Sequence, residues 1–490
     1  MADDQSLAAT VAQLSVPQKA ALCLGSDFWH TAPIGEFGIE PVMVSDGPHG
    51  LRKQPQPGDS PGRFGSVPAT CFPTASALAS SWDPDLAREV GAALGAEARA
   101  QGIAVVLGPG VNIKRSPLCG RNFEYLSEDP HLAGRMAAAA VAGLQSQQVG
   151  GCVKHFAANN QETARTRVSA DVDERTLREI YFPAFEHVVT EARPWLVMCA
   201  YNKLNGTYAA QHRWLLTEVL RGEWGFDGLV VSDWGAVHDR VAALAAGLDL
   251  EMPPDLGFSD RAIIDAVAAG DLAETVLDQA AGRVLRLVQR ARRRKPAELD
   301  VTGHHALARR AAAQNIVLLK NDGVLPLTGA PGLTVAVIGE LARTPRFQGA
   351  GSSQVSPTRV DVPVDELAAA LPAATLLFAA GYGIAGDAAD SDPELVAAAV
   401  RAATGADVAV LFLGLPPARS PRASTGPTST CRRRRPAWSP SWPARFRKRR
   451  SLPCSATAPR RRPAPGTAPP RRYWSAGWPG RPWAGRSPTC

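Results

Sequence analysis

No apolar run in this chain of 490 residues approaches the ~20 needed to span a bilayer, because Gly, Pro or a charge interrupts each one. An integral membrane protein is not expected. Met1 to Ala20 lacks the basic start and apolar run of a secretory leader, so the expected compartment is cytoplasmic. The eight cysteines (Cys23, Cys71, Cys119, Cys152, Cys199, Cys431, Cys454, Cys490) stand singly, without a C-x-x-C pair. Neither zinc nor a disulfide framework is suggested, and reduced, mostly buried thiols are expected. Residues 416–490 contain no Asp or Glu but 18 of the 53 Lys and Arg residues. The formal charge of +7 therefore arises in that stretch, since the rest has 35 bases against 46 acids. An acidic body of ordinary composition, 45% hydrophobic and 20% charged, can bury a sizeable core. Its length calls for two domains, given roughly 100 to 250 residues each.

From about residue 40 to 290, short apolar runs alternate with helix-like segments. The runs are Val42 to Val44, Ser76 to Ala79, Ile103 to Leu107, Cys152 to Phe156, Trp195 to Ala200, Leu229 to Val231 and Gly247 to Leu250. Between them lie patterns such as Asp83 to Gln101, where Asp83 can cap a helix and Pro84 suits its first turn. Repeated strand and helix alternation implies a parallel sheet, and about eight units imply a closed barrel. Asp46, Lys154, His155, Tyr201 and Asp233 each end or follow such a run. Strand ends of a β/α barrel open on one face, so these five can converge on one pocket.

A second alternation follows Ala308, with strands expected at Ile316 to Leu319, Thr334 to Ile338, Thr375 to Ala379 and Val408 to Leu413. The organisation read from the sequence is an α/β chain: a (β/α)8 TIM-like barrel over 1–295, a linker over 296–307, and an incomplete α/β sandwich over 308–415. Residues 416–490 form a basic Pro/Arg-rich tail without periodicity.

Several strings carry a resemblance. They are Ser45-Asp46-Gly47-Pro48-His49-Gly50, Gly120-Arg121-Asn122-Phe123-Glu124, Lys154-His155-Phe156-Ala157-Ala158-Asn159-Asn160-Gln161-Glu162-Thr163 and Val231-Ser232-Asp233-Trp234. Leu318-Leu319-Lys320-Asn321, Leu325-Pro326-Leu327 and Gly349-Ala350-Gly351-Ser352-Ser353 follow. In this order they resemble glycoside hydrolase family 3, over roughly residues 15 to 415, and its β-glucosidases in particular. The K-H-[FI]-P-G pattern of the family's N-acetylhexosaminidases is missing, since Ala157-Ala158-Asn159 follows His155-Phe156.

The resemblance implies a retaining hydrolase of terminal β-D-glucosyl residues, working without metal or cofactor. Such chemistry needs two carboxyl groups about 5 to 5.5 Å apart. Asp233 matches the nucleophile, although by itself it reads more readily as a helix cap. Asp46, Arg121, Lys154, His155 and Arg165 match the positions that hold the sugar, and the positive charges among them favour an ionised Asp233. Taken singly, Lys154 and His155 read as a salt bridge and a structural histidine. Ala164-Arg165 stands where the family shows Asn-Arg, which leaves Arg167 as a second candidate. Met198 and Tyr201 match pocket-lining positions, with core packing the plainer reading of Met198. Tyr201 can hydrogen-bond Asp233, and Trp234 offers a ring face to a pyranose. The partner expected is a β-glucoside or oligosaccharide, and no membrane; oligomeric state is not legible. A β-xylosidase and a catalytically silent sugar-binding pseudoenzyme stay open.

The family's acid/base is a Glu in a string like E-G-[FY]-D-R soon after the strand read at Val408 to Leu413. Ser420 to Gly426 stands there instead, and no Glu follows Glu394. Written in GC-rich codons and read from the third base of the Pro421 codon, Ser420 to Arg432 gives Glu-Gly-Phe-Asp-Arg-Thr-His-Ile-Asp-Leu-Pro. A frameshift near residues 415 to 420 is the expected cause. A nucleic-acid-binding tail, with Trp438, Trp442, Trp474 and Trp478 among its arginines, is the alternative. A wrong frame in GC-rich DNA yields the same mixture without selection for binding, so no nucleic acid is expected.

Overall fold

Runs of Val, Ile and Leu without polar alternation form strands buried on both faces, and they do so here. The computed structural model describes residues 2–55, 65–292, 298–384, 392–414 and 451–455. Strands β1 (Val44–Asp46), β2 (Val105–Leu107), β3 (Gly150–Phe156), β4 (Leu196–Cys199) and β5 (Leu229–Val231) are buried throughout. They pair in that order, all parallel. The ring then closes through single bridges: Val231 to Leu250, Leu24 to Glu251, Gly25 to Thr31 and His30 to Met43. The N–H of Val44 donates to the Trp29 carbonyl at 2.8 Å across this seam. The result is the expected TIM-like barrel, with five regular strands and bridged segments for the remaining staves.

Its helices start where the caps predict. Asp83 accepts from the N–H groups of Asp85 and Leu86 at the head of helix Pro84–Ala100, and Asp129 caps helix Pro130–Ser146 in the same way. These two helices cross closely because each puts a glycine at the contact. A Cβ on Gly91 would fall 2.3 Å from the Ala140 carbonyl oxygen, and one on Gly143 2.1 Å from that of Arg88. Gly143→Ala is therefore expected to force the helices apart, at about 1 to 3 kcal/mol for an overpacked contact. The readout is a lower urea midpoint, and an unchanged midpoint would show that the crossing tolerates the methyl group.

One apolar run is not a strand. Ser76 to Ala79 lies in the short helix Ala75–Ala79. A run of four cannot distinguish strand from helix by period, and its Ala and Leu content without β-branching favours helix.

The second domain is a parallel sheet of β6 (Thr334–Ile338), β7 (Thr375–Ala379), β8 (Val408–Leu413) and β9 (Ser451–Ser455), in the spatial order β7-β6-β8-β9. Val335, Val337, Leu371 and Val410 pack on one face, and Ala336, Ile338, Ala399 and Ala403 on the other. This two-faced burial is the α/β sandwich expected. Ile316 to Leu319, read as a strand, forms none: its side chains are 58 to 92% exposed. A strand requires a partner edge, and this segment has no ladder partner among the described residues. Conversely β9 lies within the tail read as aperiodic. Pairing satisfies the open N–H and C=O groups along β8 whatever the side-chain pattern, and Pro453 is compatible with a strand that has a single neighbour among the described residues.

Helix Val301–Gln314 runs across the expected linker boundary and ties the domains together. His304 Nδ1 lies 2.8 Å from Glu97 Oε1 on the barrel, while Arg309 Nη1 donates to Asp361 Oδ2 at 2.9 Å. Arg52 reaches the Gly351 carbonyl at 2.7 Å, and Val355 is buried in the barrel's own core. The loop carrying Gly349 thereby packs on the Phe123 ring, two residues from Arg121. No helix among the described residues is long and apolar enough to cross a membrane. The described cysteines Cys23, Cys71, Cys119, Cys152 and Cys199 are free thiols, and burial pushes those of Cys23, Cys71 and Cys199 up to about 12.

Candidate active site

The C-terminal ends of β1, β3, β4 and β5 bring together polar residues that are far apart in sequence. Asp46, the last residue of β1, accepts from Lys154 of β3 at 2.9 Å and from the Gly47 N–H at 3.0 Å. Both side chains of that pair are buried. A buried ion pair must be well oriented to offset its desolvation, and the ends of β1 and β3, on either side of β2, supply that orientation.

His155, next along β3, is held at its backbone by Asn112, which accepts from its N–H and donates to its carbonyl, each at 2.9 Å. Its ring is flanked by Arg121 Nη2, 2.8 Å from Nε2, and by the Tyr125 hydroxyl, 3.3 Å from Nδ1. Arg121 is 1% exposed, donates to Glu124 Oε1 at 2.6 Å and lies 3.8 Å from Glu162 Oε1. Burial works against its charge, but the flanking Glu124 outweighs it and holds the guanidinium pKa well above the usual value. Burial likewise pushes the Tyr125 phenol well up.

Asp233, two residues beyond β5, is 8% exposed. Its Oδ1 accepts the Trp234 N–H at 2.8 Å, whereas Oδ2 has no hydrogen-bond partner among the described residues and faces His155 Nε2 at 3.6 Å. A buried carboxylate oxygen without a donor costs free energy and calls for a reason, of which a catalytic role is one. Tyr201 donates to the Trp234 carbonyl at 2.9 Å. The sequence pointed it at Asp233, and burial first, then the Asp233 charge and a hydrogen bond with its carboxyl, raise the Tyr201 pKa. Trp234 packs against Trp29 with ring centroids 5.6 Å apart, and its Nε1 donates to the Phe28 carbonyl. Met198 is buried in the apolar cluster against which Trp234 packs.

Arg165 donates to Glu162 Oε2 at 2.9 Å and covers the Tyr201 ring at 4.7 Å. Arg167 is exposed. Eight of the nine residues singled out in the sequence are linked by these contacts, with Lys154 and His155 joined as chain neighbours, while Met198 lies in the apolar core. Tyr125, Glu124, Glu162 and Asn112 were not singled out, although Glu124 and Glu162 lie inside the quoted strings. A carboxylate three residues from each arginine was the available signal for those two. Residues 415–432, where the acid/base string was sought, lie outside the described residues.

Buried cations and carboxylates thus surround Asp233, and known proteins resemble the chain across both domains. The profile of the glycosyl hydrolase family 3 N-terminal domain matches residues 58–287, and that of its C-terminal domain residues 316–429. A thermostable β-glucosidase B from Acetivibrio thermocellus is 53% identical over 410 residues, which are 83% of this chain and 54% of that protein. An exo-α-(1→6)-L-arabinopyranosidase from Bifidobacterium longum is 50% identical over 84% of this chain and 55% of its own length. The crystal structure of a Bifidobacterium adolescentis family 3 β-glucosidase superposes with a TM-score of 0.78 at 49% identity, covering 85% of this chain and 59% of that one. The chain spans little more than half the length of these relatives.

Proposed function

This chain belongs to glycoside hydrolase family 3, and we propose that its barrel is built to cleave terminal, non-reducing β-D-glucosyl residues with retention of configuration. The observation that carries the reading is the buried Asp233 Oδ2, aimed into a cluster of sugar-binding side chains and met by no donor among the described residues. In a retaining mechanism this oxygen attacks the anomeric carbon while an acid protonates the departing oxygen, and water then releases the glycosyl ester. Asp46, oriented by Lys154, accepts from vicinal hydroxyls; Arg121, Lys154 and Arg165 donate. Trp234 supplies an apolar ring face. The acid/base is the weak point: no Glu follows Glu394, so this chain is read as impaired unless its reading frame is restored near residue 415. A silent sugar-binding protein is the reading that remains if restoration brings no activity.

The arabinopyranosidase at 50% identity favours a second substrate reading. Nitrophenyl β-glucoside, β-xyloside and α-L-arabinopyranoside, offered to frame-restored protein, separate the possibilities; the glucoside is expected to turn over fastest. Asp46→Ala should lower its kcat/KM by about 10²-fold or more, because a buried charged hydrogen-bond partner is worth roughly 3 kcal/mol or more. An unchanged kcat/KM would remove Asp46 from the pocket.

A further inference from the structure

Two guanidiniums of the pocket face one carboxylate. We infer that Glu162 is a positioning residue that fixes the direction in which Arg165 presents its N–H groups to the sugar. The inference rests on the reading of Arg165 as a sugar-binding residue.

Glu162 is 3% exposed and stands between the two arginines. Its Oε2 accepts from Arg165 Nη1 at 2.9 Å, and its Oε1 faces Arg121 Nη1 at 3.8 Å. These distances separate the two relationships. Arg121 is anchored by Glu124 Oε1 at 2.6 Å and does not depend on Glu162 for its place. Arg165 has no second carboxylate among the described residues; its other partner is the face of the Tyr201 ring, whose centroid is 4.7 Å away.

The ring and the carboxylate do different things. A cation over a ring is attracted to the face but can turn in its own plane, since the face offers no directed acceptor. A carboxylate accepts along a defined line, in a bond roughly twice as strong as a neutral one. Tyr201 is thus a floor for the guanidinium, and Glu162 gives it a heading. The same loop contains the comparison. Arg167, two residues on, has no carboxylate partner among the described residues and is exposed. Nor does the local chain favour the turn before Arg165, because Ala164 has a φ of 51°, in the left-handed region that a Cβ disfavours. The contacts run on from Arg165 through Tyr201, whose hydroxyl donates to the Trp234 carbonyl at 2.9 Å, and so end beside Asp233.

The test is a double-mutant cycle in the full 490-residue chain, read by the Kd of phenyl 1-thio-β-D-glucoside in calorimetry. Arg165→Ala is expected to weaken binding by about 10- to 100-fold, the scale for a hydrogen bond from a charged group. Glu162→Ala is expected to weaken it by a similar factor. The double variant should bind no worse than the weaker single one, because Glu162 acts through Arg165. A merely structural Glu162 would weaken binding further in the Arg165→Ala background, so factors that multiply overturn the inference. An unchanged Kd in the Glu162 variant overturns it as well. Should Glu162→Ala not fold, the isosteric Glu162→Gln takes its place. An amide must turn its NH2 toward one of two groups that only donate, so a loss of about 3- to 10-fold is expected, and none in the Arg165→Ala background. If Arg165→Ala binds as the wild type does, the sugar-binding reading of Arg165 fails and the inference with it. A wild type that binds no thioglucoside refutes the sugar pocket as a whole.

Discussion

Asp233→Ala is expected to abolish glucoside turnover and covalent trapping together. The carboxylate is the group that would form the glycosyl ester, and its geometry is that of a nucleophile, with Oδ1 anchored by the Trp234 N–H at 2.8 Å and Oδ2 left to react. Deleting one member of a covalent catalytic unit costs roughly 10⁴- to 10⁶-fold in kcat. The loss should appear in frame-restored protein with nitrophenyl glucoside, and the fluoroglucoside adduct should map to the peptide holding Asp233. The fold should survive, because Asp233 makes no hydrogen bond on which a strand depends. An adduct on Asp46, Glu162 or any other carboxylate would sink the assignment.

In the chain with its 490 residues unaltered, cellobiose is expected to be almost inert while dinitrophenyl glucoside reacts in a slow burst. A positioned general acid contributes about 10² to 10⁴-fold, most for a poor leaving group. A departing sugar needs that proton; a dinitrophenolate does not. The burst should then stall at the glycosyl-enzyme, because the attacking water lacks its base. Azide, a nucleophile that needs no base, should restart turnover of the activated substrate. Brisk cellobiose hydrolysis by the unaltered chain would refute the missing-acid reading and require a second carboxylic acid elsewhere. Both experiments depend on a folded barrel, and the exposed Ile316 to Leu319 makes poor solubility an expected companion.

Much of the pocket was legible residue by residue. Asp46, Lys154, His155 and Asp233 are polar groups at the ends of apolar runs, and in a barrel such ends share one face. Tyr125 and Asn112 were not legible in this way. Each touches His155 from 30 or more residues away, and neither ends a strand or an apolar run. Ser76 to Ala79 failed for a different reason, because so short a run has no measurable period. Ile316 to Leu319 shows the limit of composition: hydrophobicity proposes a strand, but only a neighbouring edge makes one.

The sequence by itself determined the class of the barrel, its motifs and the residue types of its pocket, since hydrophobic period, caps and ordered strings are properties of the chain alone. Tertiary structure decided how the ring closes, which arginine covers Tyr201, and which oxygen of Asp233 stays without a donor. These depend on distances of a few ångströms between β1, β3, β5 and the loop of Arg121 and Tyr125. Hydrogen bonds are made or lost within less than an ångström, and no spacing along the chain encodes a distance of that kind.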